Sequence, residues 1–223
     1  MIISLHIRKC AGTTFKNQIG EAFKEKVLFD YGDEIGSSYA SSKLKRFFCK
    51  NFYKINKKKI INKYDIIHGH FYADKFDFLI KHISLDLITI MRDPAQRLVS
   101  NYYYLKRQNS RLNPDHKIFK TKNLSLKDYI TYKDSQNLIS KFFNNKTIDD
   151  FKFIGFAEKY NQSIFELNKI FNIKLKTRQA QNINSSKHPS SLYKISKSEF
   201  SLIEKYNEKD FELFENAKKK FQF

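Results

Sequence analysis

Cysteine, glycine, proline and tryptophan are all scarce in this sequence. Of 223 residues only two are Cys (Cys10 and Cys49), six are Gly, three are Pro and none is Trp. Two cysteines make neither a disulfide framework nor a C-x-x-C metal or redox motif, so a reducing compartment is the expectation. No stretch nears the ~18 consecutive apolar residues of a spanning helix. The segment from Met1 to Lys9 also lacks the basic flank, apolar run and small-residue cleavage site of a signal peptide. The chain therefore reads as a cytoplasmic bacterial protein, or as a domain separated from a membrane anchor. Acidic residues are few as well: 23 Asp and Glu against 42 Lys and Arg leave a formal charge of +19. Only seven of the cations are Arg. An excess of Lys, Asn, Ile and Phe is what AT-rich coding writes, so part of this charge reflects codon use and not selection for a polyanion.

What is present excludes disorder. The chain is 41% hydrophobic and 16% aromatic, with 22 Phe and 13 Tyr, enough to bury a large core. Its length favours one shared core over two, hence a single domain over 1–223. Short β-rich runs at Ile2 to Ile7, Val27 to Tyr31, Tyr64 to Ile67, Leu85 to Met91 and Phe151 to Phe156 alternate with helical periodicity at Thr13 to Lys24, Ala95 to Lys106, Leu126 to Phe143 and Glu158 to Phe171. Leu44 to Lys59, basic and aromatic, reads as a surface helix. Residues 107–123 and 177–193 read as loops, and Lys197 to the end as a pair of amphipathic helices. Alternating strands and helices predict an α/β fold with a central, mainly parallel sheet flanked by helices. In such folds ligands gather at the carboxyl ends of the strands, which brings the loops after Ile7, Ile67 and Met91 to one site.

The first of these loops, Arg8-Lys9-Cys10-Ala11-Gly12-Thr13-Thr14, lies between a strand and a helix N-terminus. Free N–H groups and the helix dipole there hold a phosphate or sulfate. It is not a Walker A loop, since G-x-x-x-x-G-K-[ST] is absent. Thr13 or Thr14 is the expected N-cap. The third loop opens Arg92-Asp93-Pro94, with Asp93 as N-cap and Pro94 at the first helical position. Arg92 at the strand end and Ser100 two turns into the helix can reach one phosphate from two sides. The second loop, His68-Gly69-His70-Phe71, carries a histidine pair. An H-x-H pair can also bind zinc, but no third ligand stands at a matching spacing.

Four segments in order, His6 to Phe15, His68 to Phe71, Ile90 to Tyr104 and Ile154 to Glu158, resemble the heparan sulfate and uronyl 2-O-sulfotransferase branch of the sulfotransferases. That resemblance implies a fold of the P-loop nucleotide-binding type and the donor 3′-phosphoadenosine 5′-phosphosulfate (PAPS), with adenosine 3′,5′-bisphosphate (PAP) as product and no metal. It assigns Lys9 to the bridging oxygen of the departing phosphate, with Cys10, Ala11, Gly12, Thr13 and Thr14 forming the 5′-phosphate cradle. Arg92 and Ser100 take the 3′-phosphate. His70 becomes the base that removes the acceptor's proton, and His68 orients the acceptor or that base. Asn184, Ser185 and Lys187 stand in the loop that closes over the nucleotide. Arg8 departs from the pattern, which usually has Pro there. The implied acceptor is a hydroxyl of a glycan, with an anionic polysaccharide or oligosaccharide favoured by the charge. Neither a nucleic-acid partner nor a membrane span is expected, and an oligomer is left open. Two rival readings remain at this point: a polyanion or nucleic-acid binder, suggested by the charge and by Phe47 to Lys59, and a nucleotide kinase of related topology, disfavoured by the missing Walker lysine.

Overall fold

Five apolar runs pair side by side to form the sheet. Ile2–Leu5 (β1), Val27–Asp30 (β2), Ile66–Gly69 (β3), Asp86–Met91 (β4) and Phe151–Phe156 (β5) lie in the order β2-β3-β1-β4-β5, all parallel. A computed structural model of the chain describes residues 1–33, 35, 40–107, 119, 121–177 and 192–222, with the backbone alone for 40–43. Nine helices are described: Gly12–Phe23 (α1), Ala40–Ile55 (α2), Lys57–Lys63 (α3), Pro94–Arg107 (α4), Leu126–Thr131 (α5), Leu138–Phe143 (α6), Tyr160–Phe171 (α7), Lys197–Tyr206 (α8) and Glu208–Lys220 (α9).

Parallel strands need crossover helices, which cover both faces of the central strands. All four residues of β1 are accordingly buried. Ile3 and Leu5 enter one core with Ile67, Met91, Phe142 and Ile154, while Ile2 enters the opposite core with Phe15, Ile19, Ile66 and Ile88. A third core joins α4, α5 and α8 through Leu98, Tyr102, Tyr129 and Ile203. From β1 the chain crosses first to the β2–β3 side and later to the β4–β5 side. The carboxyl ends of β1 and β4 therefore flank the topological switch point, where a ligand crevice opens.

Several expectations need correction. The third strand starts two residues later than expected and extends through His68, because its register places Ser4 opposite His68 and Leu5 opposite Gly69. The basic segment at 44–59 lies across two helices, α2 and α3, which meet at Asn56. The single helix expected at 126–143 is broken into α5, a 3-10 turn at Lys133–Ser135, and α6. Ser125 and Asp128 form a capping box that starts α5. Asn137, at φ 48°, leaves the helical region, and the freed N–H groups find distant acceptors. The N–H of Asn137 donates to Asn207, and those of Ile139 and Ser140 donate to the Asp210 carboxylate at 3.0 and 2.8 Å. In the stretch expected to be an exposed loop, Phe119 is buried.

A buried ion cluster was not foreseen. Lys75 Nζ lies 2.6 Å from Asp30 and 3.0 Å from Asp33, and all three side chains are nearly sealed from solvent. The cluster ties the end of β2 to the turn after β3. Lys75→Ala would strand two carboxylates in the core, so a loss of about 3–5 kcal/mol in unfolding free energy is expected. Urea denaturation at unchanged m checks this; a loss below about 1 kcal/mol would mean the carboxylates find another partner.

Candidate active site

The loop after β1 is built to present backbone donors. Lys9 and Ala11 have left-handed φ values of 69° and 59°. Two left-handed residues this close together fold the loop into the kind of tight turn from which anion nests are built. This compression also starts α1 at Gly12 with Ala11 as N-cap, and no side chain caps the helix, so Thr13 and Thr14 lie inside the first turn. The first-turn N–H groups of α1 and the hydroxyls of Thr13 and Thr14 remain available to an anion.

Cys10 does not belong to that cradle. Its N–H donates to the carbonyl of Ile7 at 3.3 Å, and its thiol is buried in the core. Burial pushes the Cys10 thiol up to about 12, which makes it a packing group and excludes a reactive thiolate.

Lys9 stands over the Tyr104 ring at 4.3 Å, and burial, then Arg107 and Arg92, lower its ammonium to about 8. Arg92 Nη1 donates to the Lys9 carbonyl at 3.4 Å, so the loops after β1 and β4 touch. Asp93 caps α4 by accepting from the N–H of Gln96 at 2.9 Å, and Pro94 opens the helix as expected. Ser100 is only 1% exposed, which leaves its hydroxyl little access to a ligand. Of the three consecutive tyrosines, Tyr102 is core, Tyr103 stacks on Tyr193, and Tyr104 faces Lys9. Arg97 is fully buried beside the charge of Asp210, but no ion pair joins them among the described residues. Asn184, Ser185 and Lys187 lie outside the described residues. The chain leading into their segment is fixed where Gln18 on α1 donates to the Lys176 carbonyl. The chain leaving it is fixed where Gln96 on α4 holds the Tyr193 backbone in both directions, at 3.0 and 2.8 Å.

His70 follows β3 and meets the His6 carbonyl through Nδ1 at 2.6 Å. A carbonyl only accepts, so Nδ1 carries the proton and Nε2 keeps its lone pair. Burial, then the Arg8 guanidinium, lower His70 to about 4, so the ring is neutral at pH 7. His68 is placed differently. It is completely buried within β3, Nδ1 meets Ser4 Oγ at 2.8 Å, and burial holds the ring at about 3. It cannot orient an acceptor, because no acceptor reaches it.

The unforeseen member is His6. Its ring is stacked 4.2 Å from His70 and 5.3 Å from His68, and Nδ1 meets Tyr31 Oη at 2.9 Å. A Cβ on Gly12 would fall 1.5 Å from His6 Nε2. One imidazole thus links the anion cradle to the candidate base. The local signal was a histidine two residues past Ser4 on the same strand face; its meaning depends on the β1–β3 register, which local pattern does not encode.

Beside this centre lies a small cleft whose polar lining includes Arg8, Asn101, Tyr132, Asp134 and Ser135. Arg8 places a cation at the end nearest His70.

These titrations imply a bell-shaped profile. The dependence of kcat/KM on pH should rise through about 4 as His70 loses its proton and fall through about 8 as Lys9 loses its own. Lys9→Arg should extend the alkaline limb, because guanidinium stays charged. An alkaline limb that does not move in this variant would place that titration elsewhere.

Residues 1–217 match the model of the sulfotransferase family. No curated protein matches the sequence. Among solved structures the chain is similar to mouse sulfotransferase SULT7A1 complexed with PAP, at 16% identity and a TM-score of 0.42 over 79% of this chain and 60% of that one. It is also similar to retinol dehydratase in complex with androsterone and inactive cofactor PAP, at 13% identity and a TM-score of 0.33 over 97% of this chain and 66% of that one. The chain thus spans less than two thirds of the mouse enzyme's length, and likenesses at these scores carry no weight in assigning its chemistry.

Proposed function

This chain belongs to the sulfotransferase family, and we propose that it moves the sulfuryl group of PAPS to a hydroxyl of an anionic glycan. The observation that carries this reading is the meeting of Lys9 and Arg92 at the β1–β4 crevice, with the free Nε2 of His70 at the neighbouring strand end. The left-handed nest and uncapped α1 fit a 5′-phosphosulfate, and Arg92 fits a second phosphate across the crevice.

In this mechanism the acceptor oxygen attacks sulfur as its proton passes to His70 Nε2. The bond from sulfur to the bridging oxygen breaks, and PAP leaves with the electron pair. Lys9 neutralises that oxygen as charge develops on it, which is where a preorganised cation lowers the barrier most. Thr13, Thr14 and the backbone of Ala11 and Gly12 hold the 5′-phosphate; Arg92 holds the 3′-phosphate, and the buried Ser100 braces the helix that follows Arg92. Asn184, Ser185 and Lys187 contact the nucleotide from the segment that Gln18 and Gln96 bracket. A neutral base at about 4 is weak, but donor anions beside it raise its basicity when bound. His68 acts behind the base, supporting the His6 ring on which His70 stacks.

Arg8 supports an acidic acceptor. Its guanidinium lines the cleft and is close enough to His70 to depress its protonation. A uronic carboxylate paired with Arg8 sets a neighbouring hydroxyl toward Nε2, while Asp134 and Asn101 suit the remaining hydroxyls.

The test is binding followed by transfer. PAP should bind at least about tenfold tighter than AMP, since a charge-assisted contact is worth roughly 1.5–3 kcal/mol. Label from radioactive PAPS should then enter uronic-acid polysaccharides ahead of neutral ones. Equal affinity for PAP and AMP by calorimetry would remove the donor assignment; transfer to neutral glycans alone would remove the acidic acceptor.

A further inference from the structure

We propose that α2 is an interfacial helix that seats this protein on an anionic lipid surface. Its apolar residues face the wrong way for a core helix. Leu44, Phe47, Phe48, Phe52 and Ile55 are 58%, 61%, 62%, 62% and 84% exposed. At ~100° per residue they fall within one arc of about 140°. The opposite side makes the attachment to the fold. Tyr53 packs on Phe76 with ring centroids 5.3 Å apart, Arg46 lies over Tyr72 at 5.2 Å, and Cys49 Sγ sits beside Gly32. Packing on the segments that follow β2 and β3 therefore explains one side of α2 and leaves a row of large apolar groups on the other.

The flanks of that row identify the partner. On the same helical projection Lys45 borders the apolar arc on one side, and Lys50 and Lys54 border it on the other. From Leu44 to Lys59 there are seven cations and no carboxylate. This is the layout of a helix lying in a membrane interface, where apolar side chains enter the acyl boundary and lysine stems reach back to anionic headgroups. The same charge opposes docking of a second copy, whose matching face carries the same cations. Nucleic acid fits less well. Base stacking needs ring faces presented as a platform, whereas Phe47 and Phe48 meet edge to face at 73° and the row ends in aliphatic Leu44 and Ile55. Among the described residues no helix is long and apolar enough to cross a membrane.

The test uses the full chain and cosedimentation with vesicles of phosphatidylglycerol and phosphatidylcholine, against phosphatidylcholine alone. Binding should require phosphatidylglycerol and weaken with salt. The triple variant Phe47→Ser, Phe48→Ser, Phe52→Ser should bind roughly tenfold or more weakly. Its denaturation midpoint and its turnover on a soluble acceptor should be unchanged, since these side chains touch neither the core nor the active site. Lys45→Gln, Lys50→Gln, Lys54→Gln should remove the preference for phosphatidylglycerol. Vesicle binding that is absent, or that survives the Phe substitutions, overturns the proposal. So does binding to single-stranded DNA that depends on the same Phe residues and exceeds vesicle binding, or a dimer in sedimentation that the Phe variant dissociates.

Discussion

His70→Ala is expected to lower kcat by roughly a hundredfold to ten-thousandfold while leaving PAP affinity near that of the unaltered protein. The split follows from geometry. His70 directs Nδ1 at the His6 carbonyl and so reserves Nε2 for the acceptor's proton, yet it contributes nothing to the anion nest. Lys9→Ala should lose a similar factor in kcat and lose PAP affinity too, because its ammonium serves both bound and departing phosphate. No other histidine of the cluster can stand in. His68 is sealed inside β3, and His6 is held between the two other rings with Nδ1 on Tyr31. Single-turnover rates and calorimetry with PAP separate the two effects. A near-normal rate in His70→Ala would move the base outside this cluster, and unchanged PAP affinity in Lys9→Ala would remove the lysine from the cradle.

The parts legible in the sequence were those decided by neighbours along the chain. β5 and the β4-to-α4 junction are examples: a β-rich run ends in Arg92, and Asp93-Pro94 carries both the cap and the fixed φ that start a helix. The same holds for the anion loop, whose position between β1 and α1 follows from local pattern. The parts that were not legible depend on partners far along the chain. Nothing between 126 and 143 announces the break at Asn137, because the acceptors that make it tolerable are Asn207 and Asp210. No local pattern marks Lys75, Asp30 and Asp33, which only the fold brings together in the interior. His68 looked like a loop residue beside the acceptor, but the β1–β3 register extends the strand past it and buries it against Ser4. Leu44 to Lys59 read as a basic, aromatic surface helix, but which of its sides would pack on the protein was not legible: Tyr53 and Cys49 take that position, against Phe76 and Gly32, and the phenylalanines are left outside.

Gly12→Ala should nearly abolish donor binding, and the cause should be His6. The added Cβ would sit 1.5 Å from His6 Nε2, a distance no packing adjustment within one rotamer can absorb. The His6 ring has little freedom, pinned by Tyr31 and held between His68 and His70. The first turn of α1 must therefore give way, and its N–H groups leave the positions that hold phosphate. A displacement of ~1 Å at such a cradle costs about a hundredfold. His6→Ala alone should leave donor affinity nearly intact, since its carbonyl still accepts from His70, and should lower kcat by about tenfold through a loosened base. The double variant is the decisive measurement. Removing the ring makes room for the methyl group, so donor affinity in His6→Ala with Gly12→Ala should recover to within about threefold of His6→Ala alone, a strong departure from additivity. If the double variant binds PAP as poorly as Gly12→Ala, then the glycine is required by the donor's own approach to the backbone, and the imidazole does not couple the cradle to the base.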